Sequence, residues 1–162
     1  MTQTLIRQAG SMDCRAISDL LNEVIEVGGT TAYTNAVTAQ YVHAKMQSEK
    51  RNAWHLAENE TGDILGFQWI AQADYLPTDA AEIATFARIG KTGLGIGSKL
   101  FEATKAAAIS LGYTWINANI RSDNSGGLIY YQSRGFEDYG TQKGIKLADG
   151  SIVDKVLKRF NL

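Results

Sequence analysis

Glu82 is the single carboxylate in an otherwise apolar segment, Glu82 to Ala87, that reads as a short strand. Apolar surroundings raise a carboxyl group's pKa and so move it toward use as a general base; a strand-end glutamate facing water is the competing reading. Directly after it come Gly90, Gly93, Gly95 and Gly97, residues that permit positive φ and close approach of another molecule to the backbone. A helix follows, with apolar residues at Ile96, Leu100, Phe101, Ala103, Ala106, Ala107 and Ile109 and a stop at Gly112. The first N–H groups of such a helix lack intrahelical partners and lie at the positive end of its dipole, which suits phosphate oxygens. A glycine turn that merely ends a strand is the alternative.

Three motifs compete for this loop. Gly90-Lys91-Thr92 supplies the end of a Walker A pattern, but the glycine required five positions earlier is Thr85. A dinucleotide fingerprint also fails, because Ser98 stands where the third glycine belongs and no βαβ unit opens the chain. The third pattern, Gly95-Ile96-Gly97 followed by Ser98, resembles the pyrophosphate loop of the GNAT superfamily of acyl-CoA-dependent N-acyltransferases. That motif begins with Gln or Arg, and here the position is Thr92. A second segment, DNSGGLIYYQSRGF over residues 123–136, is similar to the superfamily's other cofactor motif. Asn124 fits a helix N-cap, Leu128, Ile129 and Tyr131 are apolar on the helix, and Gly135 ends it. Tyr131 lies four residues before Gly135, where the family places its general-acid tyrosine. Two motifs in order along one chain carry far more weight than either alone.

The resemblance implies acyl transfer from a thioester to an amine. Backbone N–H groups of Gly93, Leu94, Gly95, Ile96, Gly97 and Ser98 would hold the pyrophosphate of acetyl-CoA. Phe86, Ala87 and Arg88 match the strand end that pairs with the pantetheine arm. Asn124 would cap its helix and contact the cofactor. An alkylammonium has a pKa near ~10 and must lose a proton before attack, and Glu82 is the candidate base, directly or through a water. Tyr131, a neutral donor with an ordinary pKa near ~10, would protonate the departing thiolate. The segment between the first two helices walls the acceptor pocket in the family, which makes Thr31 and Tyr33 candidates for substrate contact. Asn22-Glu23-Val24-Ile25 followed by Thr30-Thr31 also resembles the phosphinothricin-type amino-acid acetyltransferases within the superfamily.

The elements that must position these residues follow from periodicity. Thr4 to Ala9 reads as a strand; Ser11 caps a helix with Cys14, Ile17, Leu20, Leu21, Val24 and Ile25 on its apolar face, stopped by Gly28-Gly29. Thr38 caps a second helix reaching about Lys50. Ala53 to Glu58 and Ile64 to Tyr75 read as strands around a turn, and Tyr113 to Ile120 as another. Glu137 to Lys143 and Ile152 to Phe160 close the chain, with Asp149-Gly150 a two-residue hairpin signal. The order is βααβββαβαββ, one α+β domain over residues 1–162 with a mixed sheet of about seven strands, as in GNAT folds.

With 162 residues, 44% hydrophobic and 20% charged, the chain suits one globular core. Net charge is −1 and no basic stripe is visible, which argues against a nucleic-acid partner; Lys155, Lys158 and Arg159 fit alternation on an exposed strand. One cysteine allows no internal disulfide, and no cysteine–histidine spacing suggests a metal. No membrane-length apolar run or signal peptide is present, so the cytoplasm is expected. The reading is an N-acetyltransferase using acetyl-CoA on a small-molecule primary amine, an amino acid or analogue. The alternatives are an acyl-CoA-binding module without transferase activity, and acetylation of a protein N-terminus or lysine. Family analogy adds the expectation of a homodimer.

Overall fold

A computed structural model of the chain describes residues 3–90 and 95–162. The chain extends into seven strands: β1 (Leu5–Gln8), β2 (Ala53–Glu58), β3 (Ile64–Ala71), β4 (Ala80–Ala87), β5 (Trp115–Arg121), β6 (Glu137–Lys146) and β7 (Ile152–Asn161), of which β3 is buried throughout. Helical spacing produces α1 (Cys14–Val27), α2 (Ala39–Ser48), α3 (Ile96–Ser110) and α4 (Ser125–Ser133). The strands form one sheet in the order β1-β2-β3-β4-β5-β7-β6. Every pairing is antiparallel except β4 with β5. The expected order of elements and mixed α+β sheet are therefore present.

Successive residues of a strand face opposite sides, and the helices divide accordingly. On one side α1 and α2 pack Cys14, Ile17, Leu20, Leu21 and Val42 against Trp54, Phe67, Trp69 and Phe86. On the other, α3 and α4 pack Phe101, Ala108 and Tyr131 against Ile70, Ile83, Ile116 and Ala118. Cys14 sits in the first of these cores, as its place in the apolar stripe predicts. No described helix is long and apolar enough to cross a membrane.

Several boundaries differ from the sequence reading. Gly10, rather than Ser11, precedes the first helical turn, because the Asp13 carboxylate accepts the Gly10 N–H at 2.8 Å and is itself held by Arg7. β3 stops at Ala71, where the chain turns through Ala73–Leu76, so Tyr75 belongs to the loop before β4. The last hairpin closes on Leu147 and Ser151, leaving three loop residues with Gly150 at φ +90. Lys158 is buried and paired with Asp138, not exposed. Ile109 and Ile129 face solvent.

Phe67 is wholly buried and stacks on Trp54, Trp69 and Phe86, with ring centroids 5.2–6.4 Å away. Phe67→Ala is expected to cost about 3–5 kcal/mol, measured by urea denaturation, through lost contacts and an unfilled cavity. A loss below about 1 kcal/mol would show that the stack closes over the gap and does not depend on this ring.

Candidate active site

β4 and β5 pair only from Ala80–Trp115 to Ile83–Ala118. Beyond that point each follows its other neighbour: β4 stays with β3 as far as Ala87, and β5 stays with β7 as far as Arg121. The two strands therefore part. Arg88 donates its N–H to Leu65 O at 2.8 Å, which fixes the ladder's phase. By alternation, Phe86 and Arg88 direct their backbone groups to β3, while Thr85 and Ala87 direct theirs into the parting. Of the three strand-end residues expected to pair with a pantetheine arm, Ala87 is the one with free backbone on that side. The Arg88 side chain turns elsewhere, to the Ile64 carbonyl at 2.9 Å and the Glu23 carboxylate at 2.6 Å.

Glu82 lies just before the parting, on the α1/α2 face, opposite Asn117 of β5. Its carboxylate accepts from Asn117 Nδ2 at 3.0 Å and from the Tyr75 hydroxyl. Asn117 and Asn119 also donate to the Tyr75 oxygen, at 3.0 and 3.2 Å, and Tyr139 bonds Asn117. Burial pushes the Glu82 carboxyl above its ordinary pKa, while the Tyr75 and Asn117 hydrogen bonds and the charge of Lys155 draw it back. Burial and the adjacent Glu82 charge in turn push the Tyr75 phenol up. Glu82 opens onto a cleft of about 670 Å³ lined also by Trp69, Ala84, Lys45, Lys50 and Asp74.

Tyr131 stands on the opposite face of the sheet, buried, its hydroxyl 2.8 Å from Thr85 Oγ1. Thr85 is two residues past the last β4–β5 pair, so this phenol lies where the strands have separated. Burial pushes its pKa up and the Thr85 hydrogen bond opposes that. Glu82 and Tyr131 thus flank the parting from its two sides.

α3 begins at the same end. Gly95 is its N-cap at φ +72, a conformation that favours glycine, and a side chain built there would meet nothing within 4 Å. The first intrahelical bond runs from Lys99 N–H to Gly95 O, so the N–H groups of Ile96, Gly97 and Ser98 precede the helical ladder. Ile96 packs its side chain in the core, and Ser98 Oγ accepts from Arg134 at 2.6 Å. Gly93, Leu94 and Thr92 lie outside the described residues. Gly97 has a steric reason to be glycine: an added Cβ would fall 2.5 Å from Tyr130 Cε1. These features fit an acyl-CoA: an open helix N-terminus for phosphate oxygens, and a strand edge with free backbone groups for an extended amide-bearing arm.

The remaining predicted residues are placed more loosely. Asn124 caps α4, accepting Gly127 N–H at 3.0 Å, and its amide donates to the Thr30 carbonyl at 3.1 Å. Thr31 is buried and spends its hydroxyl oxygen on the Tyr33 N–H at 3.2 Å. Tyr33 bonds the Tyr41 hydroxyl and lines a smaller pocket of about 360 Å³, distinct from the residues that line the Glu82 cleft. Sequence reasoning missed Tyr75, Asn117, Asn119, Gln68 and Thr85. The signal for the asparagines was their period-two spacing inside an apolar strand; Gln68 and Thr85 were likewise polar residues in buried strands.

No protein-family model matches the chain. Over 95% of its length it is 27% identical to YwnH of Bacillus subtilis (strain 168), provisionally named a phosphinothricin acetyltransferase, covering 97% of that protein. A GNAT-superfamily phosphinothricin acetyltransferase from Sinorhizobium meliloti, solved with acetyl-CoA, superposes with a TM-score of 0.86 at 20% identity, covering 98% of this chain and 88% of that one. A ribosomal-protein-alanine N-acetyltransferase from Brucella melitensis superposes with a TM-score of 0.87 at 22% identity, covering 98% and 99%. Over its whole length the chain has the fold of solved GNAT-superfamily acetyltransferases. Phosphinothricin-type acetyltransferases are among the proteins it is similar to, in sequence and in fold.

Gly97→Ala is expected to cost about 1–3 kcal/mol by overpacking against Tyr130, measured by urea denaturation. In a Tyr130→Leu background the same change should cost less than about 1 kcal/mol, because the ring it meets is gone. No loss in the single variant would mean that the tyrosine ring moves aside freely.

Proposed function

We propose that this protein is an N-acetyltransferase that moves an acetyl group from acetyl-CoA to a primary amine of a small molecule, with an amino acid or analogue as the acceptor class. The observation that carries the reading is the placement of a half-buried carboxylate and a buried phenol on either side of the β4–β5 parting. When bound, acetyl-CoA supplies a thioester-activated acetyl group. The backbone N–H groups at the start of α3 receive anionic oxygens, and Ala87 presents strand-edge backbone to the arm. Glu82, ionised and held by Tyr75 and Asn117, removes a proton from the acceptor ammonium, directly or through a water. Tyr131 holds a neutral phenol whose proton serves the leaving sulfur.

The cleft volume lies within the range of small-molecule sites, about 300–1,000 Å³, which favours a small acceptor over a protein segment. Lys50 and Lys45 on its wall suit a carboxylate on the acceptor, although Lys45 also pairs with Glu49 at 3.1 Å. A module that binds acyl-CoA without transfer has no use for both Glu82 and Tyr131 at the parting. We place the protein in the cytoplasm, where acetyl-CoA is supplied, and extend to it the family's homodimeric habit.

The decisive experiment is calorimetric titration with acetyl-CoA followed by a free-thiol assay over a panel of amines and amino acids. Binding with thiol release on a subset supports the transferase. Absence of binding would withdraw it. Glu82 is a base only when ionised, so turnover falls as pH drops through its raised pKa. The acidic limb of kcat is therefore expected above the ordinary carboxylate range and to flatten in Glu82→Gln; an unaltered limb in that variant would assign the base elsewhere.

A further inference from the structure

Four hydrogen bonds run from the first turn of α3 to the phenol of Tyr131, and their direction can be worked out one group at a time. The Gly97 carbonyl can only accept, so the Tyr130 hydroxyl, 2.7 Å away, donates to it. With its proton spent there, the Tyr130 oxygen is the acceptor for Gln68 Nε2 at 3.1 Å. Inverting the Gln68 amide would set its oxygen against the Tyr130 oxygen, whose proton is spent on Gly97; the orientation kept leaves Gln68 Oε1 as the buried atom without a partner among the described residues. The second hydrogen of the same nitrogen goes to Thr85 Oγ1 at 2.9 Å. Thr85 is therefore an acceptor from Gln68 and keeps one proton of its own. The only acceptor for that proton among the described residues is the Tyr131 oxygen at 2.8 Å. Were Tyr131 the donor instead, the Thr85 proton would be left buried without an acceptor.

We propose that Gln68 and Thr85 are positioning residues that make Tyr131 an acceptor within this chain of hydrogen bonds, leaving its phenol proton for the leaving thiolate; the proposal rests on the transferase reading above. In the step, the electron pair of the breaking carbon–sulfur bond leaves with sulfur. The phenol O–H bond breaks, an S–H bond forms, and the negative charge passes to the Tyr131 oxygen. The Thr85 hydroxyl, already pointing its proton at that oxygen, stabilises the charge, and solvent returns a proton after product leaves. Tyr130 beside it and the charge of Glu82 across the sheet both oppose the ionisation of Tyr131. The Thr85 hydrogen bond works against them and against burial. The same chain of bonds begins on Gly97, in the α3 turn assigned to phosphate binding, so the acid is oriented by the element that holds the cofactor's far end.

The test is a double-mutant cycle on kcat with acetyl-CoA and an acceptor found by the thiol assay. Thr85→Val is expected to lower kcat about tenfold while the acetyl-CoA KM changes less than about twofold, the loss of one charge-assisted hydrogen bond. In a Tyr131→Phe background the same change should cost less than about twofold, and Thr85→Ser should retain wild-type turnover. Equal losses in both backgrounds would overturn the proposal in favour of a structural role for Thr85. A second measurement needs neither turnover nor cofactor. With fluorotyrosine at position 131, ¹⁹F NMR of the free protein should show a higher phenol pKa in Thr85→Val and in Gln68→Met, and no change in Thr85→Ser. An unchanged pKa in both Thr85→Val and Gln68→Met overturns the proposal. If the wild-type protein releases thiol with no amine, the transferase reading fails by itself, and the NMR titration still decides the direction of the hydrogen bonds.

Discussion

The parallel pairing of β4 with β5 ends at Ile83 and Ala118 while both strands run on. Each continues along a longer antiparallel partnership, β4 with β3 and β5 with β7, so the two halves of the sheet diverge at their single parallel seam. Backbone groups of Thr85 and Ala87 are left facing the gap. Thr85 and Ala87 are half-buried, and a ligand whose own amides complete the ladder pairs these groups before any side chain contributes. A strand, a helix N-terminus and the side chains of Glu82 and Tyr131 meet at this seam because the seam stops where it does.

The same divergence keeps the proposed base and the proposed acid apart in a small domain. Glu82 and Thr85 are an odd number of residues apart on one strand, and alternation sends them to opposite faces. Glu82 is held among Tyr75, Asn117 and Asn119 at the rim of the cleft, and Tyr131 is held by Thr85 against the α3/α4 core. Burial pushes both groups toward their neutral forms, but their hydrogen-bond partners differ. Two donors on the Glu82 carboxylate keep it usable as an anion. One donor on the Tyr131 oxygen leaves its proton free.

How much of this was legible in the sequence depended on whether a feature was local. The order of elements, the Asn124 and Thr38 caps and the α3 start after Gly95 all follow from spacing and capping chemistry within a few residues. Glu82 was legible because one carboxylate in an apolar strand is locally anomalous. Tyr75 was not, because its contact with Glu82 depends on how the loop after Ala71 folds back, and loop paths leave no periodicity. Gln68 and Thr85 were hidden for a related reason: each is an ordinary strand residue until the β3–β4 register sets them side by side. Thr31 looked available in the sequence, yet its hydroxyl oxygen is occupied by the neighbouring Tyr33 N–H.

Asn124 belongs to two parts of the molecule at once. One end of its amide caps the helix that carries Tyr131, and the other end holds the Thr30 carbonyl, next to the Thr31 carbonyl that Arg121 grips at 3.1 Å. The segment between α1 and α2 is thus stapled to the N-terminus of α4 across the mouth of the sheet. A change of shape in this segment cannot be mechanically private: displacing the Thr30–Thr31 backbone pulls on the first turn of α4, and loosening that turn frees the segment between α1 and α2. Exchanging this segment would therefore disturb the helix that carries Tyr131 as well, unless the two carbonyl positions are kept.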